Sequence, residues 1–149
     1  VIGRYEAILA EVLVLGAFLP VVMGMAGNVG VQSATVAVRG LATGAIDVRD
    51  TVPLVLKELR VGLLLGSFYG VILALYGYLM HHSLALGEVV GLTILGNMTG
   101  AALLAVLLPM IFQRLKVDPA VATGPFVTTA IDILGVLNYF VIASWIYDL

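Results

Sequence analysis

Four long apolar runs alternate with short polar breaks along the chain, at about 7–38, 61–80, 89–112 and 120–147. Each is near or above the roughly 20 residues that an α-helix needs to cross a bilayer at 1.5 Å per residue. The second carries no charge over Val61–Met80, and the fourth carries one, Asp132. The breaks fall at 39–60, which includes the turn-rich LATGAIDVRDTVP, at 81–88 and at 113–119. The pattern predicts an all-α, polytopic transmembrane helix bundle with four spans, in one domain covering 1–149.

Composition agrees with the pattern. Hydrophobic residues make up 62% of the 149 and charged residues 11%, and the mean hydropathy is +1.16. A soluble domain is about 45–50% apolar and roughly 25% charged, and one this size has too little interior to hide so much apolar surface. Lipid is therefore the expected solvent. A net charge of −2 with scattered basic residues gives no nucleic-acid footprint. With no cysteine, disulfides and thiolate metal sites are excluded. No nucleophile–base pair, phosphate loop or nucleotide fingerprint stands out, so nothing points to an enzyme.

The seven basic residues are Arg4, Arg39, Arg49, Lys57, Arg60, Arg114 and Lys116, and six lie in the breaks after the first and third runs. By the positive-inside rule, loops 39–60 and 113–119 are expected in the cytoplasm, with a multi-pass protein in the cell (inner) membrane. Both ends of the chain then face outside. A start at Val1 with no signal-peptide pattern suggests part of a longer protein. Tyr76, Tyr78, Tyr139, Trp145 and Tyr147 cluster toward the outer ends, as an interfacial belt would.

Asp132 is the most informative residue. Counted from Ala120 it lies about 12 residues, or roughly 18 Å, into its run. An ionisable group at such depth is costly and marks an ion or substrate route. Every Lys and Arg lies outside the runs or at their edges, so none is predicted to pair with it. Thr128 shares its helical face, with Gly124 near that face one turn earlier. Pro125 is expected to free a carbonyl near Val121, and Pro20 one near Gly16. Asp118, 14 residues before Asp132, falls on roughly the same face if the helix is continuous, although helix capping is an equal reading.

The glycines Gly24, Gly27 and Gly30 suggest an irregular or opened first helix lining a cavity. Its carbonyls, with Asn28 and Gln32, are hard oxygen ligands suited to Mg²⁺ or Ca²⁺. Gly62, Gly66 and Gly70, and Gly96 and Gly100, form small-residue faces for helix packing. His81 and His82 lack the further ligands that a transition-metal site requires.

The stretch PVVMGMAGNVGVQSATVAVRGLATG (Pro20–Gly44) resembles the second transmembrane helix of the MgtE family of magnesium channels. RLKVDPAVATGPFVTTAIDILG (Arg114–Gly135) resembles that family's last helix. The resemblance implies a five-helix domain whose first helix precedes Val1. It implies a homodimer with a pore between its second and fifth helices, here the first and last. It maps the intramembrane aspartate onto Asp132 and backbone ligand positions onto Gly24, Gly27 and Thr128. The acidic cytoplasmic entry falls on Asp118. Gly30, Val31, Gln32, Gly124 and Pro125 would line the path, and cytoplasmic regulatory domains would lie outside this stretch. The resemblance leads us to expect asparagine in some members near the positions of Val31 and Gly124. Loss of those amides removes outer-sphere contacts, leaving a divalent-cation route whose strict Mg²⁺ preference does not follow from the match. The expectation is transport of hydrated Mg²⁺. Alternatives are a proton- or sodium-coupled carrier using Asp132 as the coupling site, or a membrane scaffold without transport.

Overall fold

The computed structural model describes the backbone of residues 2–122 and 124–148, and the side chains of 13–121 and 124–148. It is an all-α bundle of α1 (Ile2–Ala42), α2 (Thr51–His81), α3 (Leu84–Arg114) and α4 (Pro125–Tyr147). Short 3₁₀ turns at Val48–Asp50 and Pro119–Ala122 join α1 to α2 and α3 to α4. All four helices contain a stretch long and apolar enough to span a membrane, that of α1 being Leu13–Ala42. Arg4 and Glu11 fall within α1, but their side chains lie outside the described residues.

The helix boundaries differ from the apolar runs for definite reasons. α2 begins at Thr51, so most of the break at 39–60 is helical. Lys57, Glu58 and Arg60 are good helix formers, and Pro53 lies in the first turn, where its missing N–H breaks no bond. Polarity there ends the apolar run, while the backbone ladder continues. The turn before α2 closes when the Asp47 carboxylate accepts from the Arg49 N–H at 2.9 Å and Asp50 accepts from the Asp47 N–H at 2.9 Å. The predicted break at 81–88 shrinks to two residues. His82 adopts a left-handed backbone and donates to the Tyr78 carbonyl, while the Ser83 hydroxyl accepts from Leu86 N–H to start α3.

Two expectations about irregular backbone are overturned. α1 remains a continuous helix through Gly24, Gly27 and Gly30. Unpaired backbone groups cost several kcal/mol in hydrocarbon, which outweighs glycine's preference for freedom by a wide margin. The last apolar run does not begin as helix at Ala120. Gly124, at φ +85°, turns the chain and Pro125 opens α4. Proline at this position removes an N–H that would be unpaired anyway, so Pro125 frees no carbonyl inside a helix near Val121. Pro20 does lie within α1 and withholds the donor due to the Gly16 carbonyl.

α3 is central and packs on the other three helices, whereas α1 and α2 hardly meet each other. α2 and α3 form an antiparallel seam of small residues. A Cβ added at Gly62 would lie 2.8 Å from Thr99 Cα, at Gly66 3.0 Å from Leu95 Cα, and at Gly70 2.8 Å from the Gly91 carbonyl oxygen. Gly87 approaches the Ala74 carbonyl in the same way from α3. Such approach is how helices gain packing in lipid, where no hydrophobic force drives them together. The main core joins Phe18 and Val22 of α1, Val90 and Ile94 of α3, and Tyr139 of α4. Tyr139 is 0% exposed and donates to the Leu15 carbonyl at 2.6 Å. It is therefore a core pin between α1 and α4 rather than part of an interfacial belt, because its hydroxyl found a backbone acceptor.

Candidate functional site

Between α1 and α4 runs an open groove of about 500 Å³ lined by Met23, Gly24, Gly27, Asn28, Val31, Gln32, Thr128 and Asp132. On α1 these positions follow the spacing of one helical face. On α4, Thr128 and Asp132 are one turn apart and point to the same side. The remaining face of α1, through Val22, Ala26, Val29, Ala34 and Ala37, is buried in the bundle. Burial of that apolar stripe is what turns the polar stripe outward.

Six residues singled out from sequence for ion binding or path lining thus meet on α1 and α4 beside Asp132: Gly24, Gly27, Asn28, Val31, Gln32 and Thr128. Asp132 is exposed on the single chain. It is the eighth residue of α4, so it lies about 10 Å from the helix start rather than roughly 18 Å. Among the described residues it makes no hydrogen bond or ion pair with another side chain, and no three His, Cys, Asp or Glu residues converge. The groove offers one carboxylate, one amide pair and a hydroxyl. That set suits weak oxygen contacts to a hydrated cation more than a closed inner-sphere cage.

The other named residues lie elsewhere. Gly30 is buried, and a Cβ there would run into the Ile131 side chain, so this glycine serves helix packing and not the groove. Gly124 and Pro125 form the turn into α4, and Asp118 belongs to the preceding link. The Asp118 carboxylate accepts from the Ala120 N–H at 2.9 Å, so it caps the 3₁₀ turn. That turn interrupts the helical register once expected to align it with Asp132. Gly96 packs against Asn138, whereas a Cβ added at Gly100 would meet nothing within 4 Å, and Gly100 borders a separate cavity of about 370 Å³ between α3 and α4. His81 lies edge-on to Phe18, 6.1 Å between ring centres.

Sequence reading overlooked Met23, although its i, i+4 spacing to Gly27 and Val31 was available. It also missed a polar ladder inside the bundle. Asn138 donates to Asn97 at 2.8 Å, and Asn97 donates to the Gly135 carbonyl at 3.3 Å. Amides in apolar runs were the available signal, since in lipid they seek partners on neighbouring helices.

The chain matches the MgtE family, described as divalent cation transporter, over residues 19–142. It is a member of the MgtE family. The matched region takes in the groove-bearing parts of α1 and α4. Proteins named magnesium transporter MgtE are similar along nearly all of the chain. The one from Enterococcus faecalis is 41% identical over 143 residues, covering 96% of this chain and 32% of that protein. That from Bacillus subtilis is 37% identical over 149 residues, covering 97% and 32%. That from Thermus thermophilus is 39% identical over 148 residues, covering 99% and 33%. The chain thus spans about a third of the length of these MgtE relatives. The family description is one of transport, not of catalysis.

Proposed function

We propose that this chain forms the membrane-embedded permeation unit for Mg²⁺, with two copies bringing their α1–α4 grooves together around one path. The observation that carries this reading is the convergence of Asp132, Thr128, Asn28 and Gln32 on one outward face of an otherwise apolar bundle. Were that face turned to lipid, the carboxylate would carry a cost that reaches about 2.5–3.5 kcal/mol at the centre of a spanning helix. A second copy presenting the same face excludes lipid and doubles the negative charge along the path. Two facing carboxylates repel each other and favour a 2+ ion between them.

Mg²⁺ gives up its waters reluctantly, so the ion travels hydrated. Six waters occupy about 180 Å³ at roughly 30 Å³ each, and one groove alone offers about 500 Å³. Gly24 and Gly27 keep the α1 wall low, and the nearby backbone oxygens contact the ion's waters. Asp118 attracts cations at the cytoplasmic mouth, where the α1–α2 and α3–α4 links are placed by their basic residues. The names of the MgtE relatives support Mg²⁺ as cargo. In this reading the protein resides in the inner membrane and works with cytoplasmic regulatory domains outside this stretch.

The test is Mg²⁺ uptake into proteoliposomes by Asp132→Ala. Uptake falls to the level of empty vesicles while the protein still folds and pairs. Unchanged uptake would overturn the scheme. Uptake that requires a proton gradient and ignores external Mg²⁺ would point to a coupled carrier instead.

A further inference from the structure

Among the described residues, Glu58 is the one charged side chain buried in the bundle, at 7% exposure. It lies on α2, and the Ser33 hydroxyl of α1 donates to its Oε2 at 2.6 Å. Lys57 and Arg60 are exposed nearby and form no ion pair with it among the described residues. A buried carboxylate carries a desolvation cost of several kcal/mol that one hydroxyl does not fully offset. Packing alone gives no reason to keep it. Its place does. α1 and α2 both pack on α3 and scarcely on each other, so this bond is a direct polar link between two helices that otherwise communicate through a third.

Ser33 follows Gln32 in sequence and lies about 200° around α1 from Val31, at 100° per residue. The link therefore grips the back of the helix whose front bears Asn28, Val31 and Gln32 in the groove. Beside Ser33 the packed face of α1 consists of small apolar residues, Ala34 and Ala37, and the bond from Tyr139 that pins this helix at the Leu15 carbonyl lies about five turns away. A hydrogen bond is directional, and this one adds a constraint on rotation at the level of the groove.

We propose that Glu58, acting through Ser33, is a positioning residue that sets the rotation of α1 and so aims the groove-lining side chains. This rests on the reading of the groove as a water-filled ion path, but its test does not depend on transport.

The chain has no cysteine, so single cysteines report without background. Val31→Cys and Gln32→Cys are introduced in turn into the complete protein in membranes, and their alkylation rates by a water-soluble thiol reagent are compared. The backgrounds are native, Ser33→Ala, Glu58→Leu and Glu58→Gln. In native and Glu58→Gln protein both sites react, since a glutamine carbonyl still accepts from Ser33. In Ser33→Ala and Glu58→Leu, the ratio of the two rates shifts by about threefold or more, as expected for loss of one hydrogen bond. Ser33→Ala removes only a hydroxyl and keeps the fold, which guards against collapse of the Glu58→Leu variant. A ratio identical in all four backgrounds overturns the positioning role and leaves the permeation reading standing. A shift in Glu58→Gln as large as in Glu58→Leu also overturns it, assigning the effect to charge. If neither cysteine reacts in the native background, the groove is dry and both readings fall.

Discussion

Gly24 and Gly30 are six residues apart on α1, yet they face different demands. A Cβ at Gly30 would meet the Ile131 side chain, while one at Gly24 would have nothing within 4 Å. Gly30→Leu is therefore expected to lower the stability of the detergent-solubilised protein by about 1–3 kcal/mol through overpacking. Gly24→Ala is expected to hold or gain up to about 1 kcal/mol, because alanine is the better helix former. Thermal unfolding of the two variants side by side checks the contrast. Tyr139→Phe removes the bond to the Leu15 carbonyl and leaves the ring in the core. It should cost about 0.5–1.5 kcal/mol in the same measurement without reducing Mg²⁺ uptake. At this scale Asp132, Asn28 and Gln32 were legible because polar side chains are conspicuous in apolar runs. Glu58 was hidden, since it stands among charged residues that read as a loop. Its burial arises because α2 starts at Thr51, well before its apolar stretch.

Among the elements, the α2–α3 pairing rests on backbone meeting backbone. Gly66 faces Leu95 Cα at 3.0 Å from where a side chain would begin. The helix axis cannot yield as a flexible side chain end can, so Gly66→Leu should force the helices apart. The expected result is loss of a monodisperse folded species on size-exclusion chromatography, and survival of that species would count against the seam. Gly62, Gly66 and Gly70 were readable as a packing face because their spacing is strictly helical. The partner glycines on α3, Gly87 and Gly91, were not, since pairing between helices is a property of two sequences at once. Helix ends were the least readable feature. Charged residues end an apolar run without ending the helix, and an apolar stretch such as Pro119–Ala122 fails to be α-helical when glycine and proline follow it.

For the whole molecule, the outward groove makes a prediction about assembly. Val31 is 43% exposed at its edge. Val31→Cys in the complete protein should form a covalent dimer with a short bis-maleimide. A cysteine at Leu64, 72% exposed on α2 and away from the groove, should remain monomeric. The reverse pattern would place the interface elsewhere and leave Asp132 facing hydrocarbon.

Amount and periodicity of apolar residues determined that this chain is a set of membrane-crossing helices, because bilayer thickness and backbone hydrogen bonding leave few alternatives. One unneutralised carboxylate in the last apolar run also pointed to an ion route from the sequence alone. Which of the glycines line the groove, where α4 starts, how Asp118 parts from Asp132 and why Glu58 is buried were decided only in three dimensions. Each depends on the rotation of one helix against another, and that angle is set by side-chain contacts between segments distant in sequence.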